Sequence, residues 1–147
     1  MDEHRLIELG QRLEQAFNTS DWATYSAAMT NSTQYESPRF QARGPEEIMP
    51  FVQGVKESFP DIKATATNIL VCGNTLVREL TWEGTHSGPM KTPQGTIPPT
   101  NRRFTFKGVV LLEASDDGQV VAVREYYDRA AIMAQLGIGA PTPTPTS

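Results

Sequence analysis

The stretch that decides the fold is residues 103–127, RFTFKGVVLLEASDDGQVVAVREYY. It contains two runs rich in β-branched and aromatic residues, 103–114 and 119–127, separated by Ser115-Asp116-Asp117-Gly118. Aspartate followed by glycine between two such runs is a favoured hairpin turn. The stretch therefore predicts a long antiparallel hairpin.

A second hairpin is predicted upstream, where the runs 64–72 and 75–86 flank Gly73-Asn74. Four long strands in sequence predict an antiparallel meander. The segment 87–101 between the hairpins has prolines at 89, 93, 98 and 99 and glycines at 88 and 95. This composition predicts neither helix nor strand, and so long a loop is typical of a lid over a pocket.

Helices are predicted before the meander and after it. Apolar residues recur at helical spacing over 3–18, and a shorter helix carrying Trp22, Tyr25 and Met29 follows. Gly44-Pro45-Glu46-Glu47 predicts the start of a third helix, because proline and acidic residues favour the first turn. The run 131–136 predicts a short last helix, ending at Gly137.

The chain is thus predicted to be one α+β domain over residues 1–138, in the order helix, helix, short strand, helix and four-strand meander. The segment 139–147, which alternates proline and threonine, is predicted to be a disordered tail. A net charge of -4 argues against nucleic acid as a partner. We expect a cytoplasmic protein without a membrane partner, because no apolar run approaches the roughly 18 residues of a membrane span. The single cysteine, Cys72, is predicted to be buried and inert.

Several short motifs carry a more specific resemblance. They are Phe59-Pro60-Asp61, GTHSG at 84–88, IPPTNR at 97–102, Asp117-Gly118-Gln119, and Tyr127-Asp128 followed by QLG at 135–137. In this order they resemble the SnoaL-like polyketide cyclases, also called ester cyclases, of the nuclear transport factor 2 and ketosteroid isomerase superfamily. Asn101 stands where that family usually has glycine, and asparagine also tolerates a positive φ.

The resemblance implies a cone-shaped, curved antiparallel sheet with N-terminal helices packed on its concave face, a cystatin-like α+β barrel. It implies a pocket for a hydrophobic small molecule, a homodimer, and no metal or organic cofactor. The expected function is that of a cofactor-independent cyclase or isomerase, which performs aldol-type acid/base chemistry on a carbonyl-containing substrate such as a polyketide. The alternative is a non-catalytic binding or dimerising module with the same fold.

The resemblance places the acid/base aspartate of the cyclases at Asp128. One carboxylate can remove a proton from a carbon between two carbonyls and return it to the new alkoxide. Asp128 follows Arg124 and Tyr126 at a period of two, so we expect all three on one face. The alternative is that Asp128 caps the last helix.

His86, at the end of a predicted strand, is the second catalytic candidate, either polarising a substrate carbonyl or tuning Asp128. The alternative is a histidine held by structural hydrogen bonds. His86 and His4 lack the spacing of metal ligands, so no metal site is expected.

Aromatic and cationic side chains of the strands and the third helix are the candidate substrate contacts, with core packing as the alternative. They are Trp82, Phe51, Phe104, Tyr126 and Arg124.

Three charged residues, Arg78, Arg124 and Glu125, lie inside apolar strands and must pair or face solvent. A constellation of Arg124, Asp128 and Asp61, resembling that of the limonene epoxide hydrolases, is a weaker hypothesis, because Asp61 is more simply a turn residue.

The outer face of the sheet is predicted to carry apolar strand residues that need cover. They are Val109, Leu111, Val121 and Val123. A homodimer through this face would supply that cover.

Overall fold

The computed structural model describes residues 1–139, so the predicted tail lies, apart from Gly139, outside the described residues. The elements, in chain order, are α1 (Glu3–Thr19), α2 (Trp22–Ala27), β1 (Met29–Ser37), β2 (Phe40–Arg43), α3 (Gly44–Ser58), β3 (Lys63–Cys72), β4 (Thr75–Thr85), β5 (Met90–Thr92), β6 (Gly95–Ile97), β7 (Arg103–Ala114), β8 (Val120–Tyr127) and α4 (Arg129–Gln135).

Six strands form one sheet in the order β2-β1-β8-β7-β4-β3. The pairs are antiparallel except β1 with β8, which run parallel. The predicted meander is confirmed, since β3, β4, β7 and β8 are consecutive neighbours. The α+β class, with a curved and mostly antiparallel sheet and N-terminal helices, is confirmed as well. We call the face that packs against α1 and α3 the inner face, and the opposite one the outer face.

The predicted turns form where the backbone needs a positive φ. Cys72 pairs with Thr75 across a two-residue turn in which Gly73 has a φ of 60°. Gly118 in the second hairpin has a φ of 86°. Asn101 adopts a φ of 57°, so asparagine does replace glycine in the left-handed region there.

A short strand was expected between the second and third helices, and the structure has two strands there, β1 and β2. The longer of the two is β1, whose first residue, Met29, was assigned to the second helix. Its sequence, MTNSTQYES, lacks apolar alternation, yet Thr33, Tyr35 and Ser37 are buried at a period of two. Tertiary hydrogen bonds satisfy these polar groups; the Thr33 hydroxyl, for example, donates to the carbonyl of Val120 at 2.6 Å. Pairing with β8, rather than propensity, makes this segment a strand.

The segment 87–101 was predicted to contain no strand, which is wrong. It forms the two-stranded hairpin of β5 and β6, which docks on the end of α3. The amide of Gly88 donates to the Ser58 carbonyl at 3.1 Å, and the Ser58 hydroxyl donates to the Pro89 carbonyl at 3.2 Å. A side chain at residue 88 would overlap the carbonyl oxygen of Glu57, so only glycine allows this approach.

Cys72 is exposed, contrary to the prediction, because β3 is an edge strand and Cys72 is its last residue. No helix within residues 1–139 combines the length and the apolar character needed to cross a membrane.

Candidate functional site

A cavity of about 100 Å³ lies between the inner face and helices α1 to α3. Its wall is mostly apolar and aromatic. The lining residues are Leu13, Glu14, Phe17, Tyr25, Tyr35, Phe51, Val52, Val55, Ile62, Ala64, Arg78, Leu80, Trp82, Phe106, Val110, Leu112, Val123, Glu125 and Tyr127.

Flat aromatic surfaces dominate one side of this cavity. Trp82 stacks on Phe106 with ring centroids 4.8 Å apart, and Phe106 contacts Tyr127 at 5.3 Å. Register explains the cluster, because Trp82 of β4 pairs with Phe106 of β7. Such a wall suits a flat apolar ligand.

Glu125 on β8 places a carboxylate on this cavity. The hydroxyl of Tyr35 on β1 donates to it at 2.5 Å, shorter than an ordinary hydrogen bond. Burial raises the pKa of Glu125 to about 7, against smaller opposing effects of the Tyr35 hydrogen bond and the positive charge of Arg78. Near neutral pH, Glu125 therefore exists in both protonation states.

Arg78 faces the same cavity from β4. Arg78 pairs with Val110, and Val110 pairs with Glu125, so the cation and the carboxylate lie in one row across three neighbouring strands. At the usual strand spacing their Cα atoms are roughly 10 Å apart. Glu125 and Arg78 thus lie on either side of the apolar residue Val110.

The Arg78 guanidinium is only partly neutralised. Nη1 donates to the Gly10 carbonyl of α1 at 3.1 Å and lies 4.0 Å from a carboxylate oxygen of Glu14. The residue is 6% exposed, and its Nε has no hydrogen-bond partner in the described part of the chain. Burial lowers the pKa of Arg78, but a guanidinium remains charged at neutral pH. A buried donor of this kind favours an acceptor oxygen on whatever binds beside it.

Two tyrosine hydroxyls complete the polar part of the wall. Burial raises the pKa of Tyr25, and burial together with the charge of Glu125 raises that of Tyr35. Both phenols therefore stay neutral at physiological pH and can donate hydrogen bonds. An apolar cavity with one titrating carboxylate, one cation and neutral hydroxyls is suited to moving a proton at a carbon next to a carbonyl.

The predicted substrate contacts separate into two groups. Phe51 and Trp82 line the cavity, so their role as substrate contacts stays a prediction with a suitable location. Phe104 is 3% exposed and packs between Phe59 and Phe106 without lining the cavity. Its position is that of a core residue.

Arg124 and Tyr126 lie on the outer face, away from the cavity. The Arg124 guanidinium donates to Glu113 at 2.8 Å, and Tyr126 is 54% exposed. Because side chains alternate along β8, these residues point opposite to Glu125 and Tyr127. Their location outside the cavity does not support the predicted contact with substrate.

Asp128 is exposed and does not line the cavity. Its carboxylate accepts a hydrogen bond from the amide of Ala131 at 3.1 Å, as the N-cap of α4. This contact is the helix-capping role named above as the alternative. The location of Asp128 does not support the catalytic role. The constellation with Arg124 and Asp61 does not form either, since Asp61 accepts from the Thr85 amide and hydroxyl at 2.7 and 2.9 Å.

His86 is fully buried but does not line the cavity. Its Nδ1 accepts from the amide of Thr100 at 3.3 Å and lies 3.0 Å from the Thr100 hydroxyl. The ring packs on Phe59, and burial lowers its pKa. His86 holds the two ends of the segment 87–101 together, which is the structural alternative to catalysis.

The segment 87–101 was predicted to be a lid over the pocket, and its location does not support this role. No residue of 87–101 lines the cavity, because the β5–β6 hairpin is held against the end of α3 instead. Among residues 1–139, no group of three or more histidine, cysteine, aspartate or glutamate side chains is arranged to hold a metal ion.

The sequence reasoning missed Glu125, Tyr25, Tyr35 and Glu14 as cavity residues. A signal existed for Glu125, since an acidic residue within the apolar run VVAVREYY must be paired or functional. Asp128 was expected to face the cavity, and because side chains alternate along a strand, Glu125 was then expected on the opposite face. Tyr25, Tyr35 and Glu14 gave no signal, because only the tertiary fold brings α1, α2 and β1 to β8.

The chain is similar to proteins of a known family. The model of the SnoaL-like polyketide cyclase family matches residues 7–136. The comparison with curated proteins found no match.

Solved structures share the fold over nearly the whole chain. A candidate SnoaL-like polyketide cyclase from Jannaschia sp. CCS1 is 24% identical, with a TM-score of 0.81, covering 95% of this chain and 95% of that one. IdmH from Streptomyces antibioticus, a candidate polyketide cyclase, is 25% identical, with a TM-score of 0.74 over 90% and 99%. A protein of ketosteroid isomerase-like fold from Catenulispora acidiphila is 16% identical, with a TM-score of 0.75 over 93% and 98%.

The family model matches most of the chain, and the solved structures share its fold. The chain belongs to the SnoaL-like polyketide cyclase family.

Proposed function

We propose that the chain is a cofactor-independent acid/base enzyme, a cyclase or isomerase acting on a hydrophobic carbonyl compound such as a polyketide. The observation that supports this most is the position of Glu125, a carboxylate with a pKa near 7 on the wall of an aromatic cavity. A base with such a pKa is suited to proton transfer at neutral pH.

In the proposed reaction, the Glu125 carboxylate removes a proton from a carbon activated by adjacent carbonyl groups. The electron pair of the broken C–H bond passes to the carbonyl oxygen and forms an enolate. In a cyclase, the enolate carbon attacks a second carbonyl carbon of the same molecule, and Glu125 returns the proton to the resulting alkoxide. An isomerase would instead return it to another carbon, so protons balance in both cases.

Arg78 is the proposed electrophilic partner of Glu125. It lies two strands away in the same row, and its charge is only partly offset by Glu14 at 4.0 Å. A cation in a site that excludes bulk water stabilises negative charge on an enolate oxygen. The Tyr35 hydroxyl, already bonded to Glu125, orients the carboxylate.

The alternative is a non-catalytic binder, and one observation favours it. Asp128, which the resemblance makes the acid/base residue, bonds a backbone amide outside the cavity. On this alternative Glu125 would only recognise a polar group of the ligand.

An exchange experiment distinguishes the two functions without knowledge of the natural substrate. The probe is ethyl 2-naphthoylacetate, an aromatic β-keto ester, whose activated hydrogens exchange with D₂O and can be followed by NMR. General base catalysis contributes about 10² to 10⁴-fold, so wild-type protein should accelerate exchange over buffer, and Glu125→Gln should lose at least the lower figure. Asp128→Asn is the matched control and should retain the acceleration.

The enzyme proposal fails if wild-type protein binds the ester without accelerating exchange. It also fails in its present form if Asp128→Asn, rather than Glu125→Gln, removes the acceleration.

A further inference from the structure

A second cavity, of about 410 Å³, adjoins the first. Both are lined by Phe51 and Val55 of α3, so these two side chains separate them. The second cavity is also lined by Arg39, Pro89 and Lys91. Unlike the first, it is bounded largely by the end of α3 and the docked β5–β6 hairpin.

Phe51 forms part of the boundary between the two cavities. Its ring stacks on Phe40 with centroids 4.6 Å apart at an angle of 11°, and it contacts Tyr35 at 5.7 Å. Tyr35 in turn bonds Glu125. Two aromatic side chains, Phe51 and Tyr35, therefore connect the second cavity to the proposed base.

Arg39 places a guanidinium on the wall of the second cavity. It lies in the turn between β1 and β2, where its amide donates to the Ser37 hydroxyl at 3.2 Å. Its guanidinium lies over the Phe51 ring, 5.7 Å from the centroid. The side chain is half-buried, yet among residues 1–139 it takes part in none of the ion pairs.

The surroundings of Arg39 add positive charge. Lys91 of β5 lines the same cavity, and Glu57 is the only carboxylate in its lining. Arg129, at the start of α4, is close enough that its charge contributes to lowering the pKa of Arg39, after the larger effect of burial. A guanidinium that lies over an aromatic ring and has no hydrogen-bond partner among residues 1–139 is a preferred partner of carboxylate, sulfonate and phosphate groups.

We propose that the second cavity is a subsite for an anionic group attached to the apolar ligand, with Arg39 as its main contact. The ligand is then an aromatic acid, with one aromatic ring reaching into the first cavity, of about 100 Å³, and its anionic group beyond Phe51 in the second, of about 410 Å³. This inference rests on the proposed function only in taking the first cavity as the ligand site, and it requires no catalysis.

The test uses two fluorescent probes with the same aromatic framework. 1-Anilinonaphthalene-8-sulfonate carries a sulfonate, and N-phenyl-1-naphthylamine lacks it. Fluorescence titrations would be carried out on wild-type protein, Arg39→Gln, and Arg124→Gln as the matched outer-face control, with circular dichroism confirming that the variants fold.

Wild-type protein should bind the sulfonate more tightly than the neutral probe. Arg39→Gln should weaken sulfonate binding about tenfold, because a charge-assisted hydrogen bond is lost, and should leave the neutral probe unchanged. Arg124→Gln should leave both affinities unchanged.

Three results would overturn the proposal: no preference of wild-type protein for the sulfonate, an equal effect of Arg39→Gln on both probes, or a loss caused by Arg124→Gln instead. Glu125→Gln separates this proposal from the enzymatic one, since it should abolish exchange catalysis while retaining the preference for the sulfonate.

Discussion

The hydroxyl of Tyr35 lies 2.5 Å from a carboxylate oxygen of Glu125, although the two residues are 90 positions apart in the sequence. The contact crosses the parallel pair β1–β8, in which Tyr35 is in register with Val123, two residues before Glu125. Burial raises the pKa of Glu125, and this hydrogen bond limits the rise. The pair therefore sets the basicity of the only carboxylate proposed to do chemistry.

The rate of proton exchange should depend on pH through Glu125. A base acts only when deprotonated, so catalysis should be low at pH 5 and rise to a plateau above a midpoint near the pKa of about 7. Measuring exchange of the β-keto ester between pH 5 and 9, corrected for buffer, gives the midpoint. A midpoint near 4.5, the ordinary value for glutamate, would contradict the burial of this carboxylate.

Protein stability should fall as pH rises through the same interval. The pKa of Glu125 is about 7 when folded and near 4.5 when unfolded, so the folded state binds the proton more tightly. This contribution is fully present below pH 4.5 and is lost as pH rises through 7. The loss amounts to about 2 to 3 kcal/mol, allowing for screening by water in the cavity. Urea unfolding at pH 5.5 and 8.5 spans about 1.5 of these 2.5 pH units, so wild type should show about 1 to 2 kcal/mol of this loss and Glu125→Gln should not.

Tyr35→Phe should shift the rate profile to higher pH. The hydrogen bond from Tyr35 lowers the pKa of Glu125, so its removal raises that pKa and leaves less base at neutral pH. Tyr127→Phe is the matched control, because Tyr127 lines the cavity but makes no hydrogen bond with Glu125. The exchange rates of both variants, measured against pH, test this prediction. Equal shifts in both would show that the effect is not specific to the Tyr35 contact.

Gly10→Ala should destabilise the protein by about 1 to 3 kcal/mol. A Cβ atom at Gly10 would overlap the side chain of Leu76, which is fully buried, and lie 3.5 Å from Nε of Arg78. Gly54→Ala in α3 is the matched control, because a Cβ there meets nothing within 4 Å. That variant should gain about 0.5 to 1 kcal/mol from helix propensity. Chemical denaturation of both variants measures the two free energies, and a neutral Gly10→Ala would contradict the close packing of α1 on β4.

The outer face should form a homodimer. Leu70, Val121 and Tyr126 are 57%, 46% and 54% exposed there or at its edge, and a monomer would leave them in water. Val123, also expected on this face, instead lines the cavity. Sedimentation of wild type at micromolar concentration should show twice the 16.2 kDa chain mass. Tyr126→Lys should shift it toward monomer, and a wild-type protein that sediments only as monomer would contradict the prediction.

The meander and its turns were predictable from local sequence alone. Runs such as 103–114 are rich in β-formers, and Asp117-Gly118 or Gly73-Asn74 can take the positive φ that a tight turn needs. These are local properties of the backbone, so they can be predicted without the fold. The family motifs lie largely in such turns and strand ends, which is why they also identified the fold class.

Which face of each strand is the inner one, and which residues meet there, depends on how the strands and helices pack together. Side chains alternate with a period of two, so a shift of one residue exchanges Glu125 for Arg124 or Tyr126 without changing the strand prediction. The same limit left the bounds of the short strand open, because in β1 the buried Thr33 and Tyr35 are satisfied by partners on β8, Val120 and Glu125. Sequence patterns report local geometry, whereas the cavity arises from contacts between residues distant in the chain.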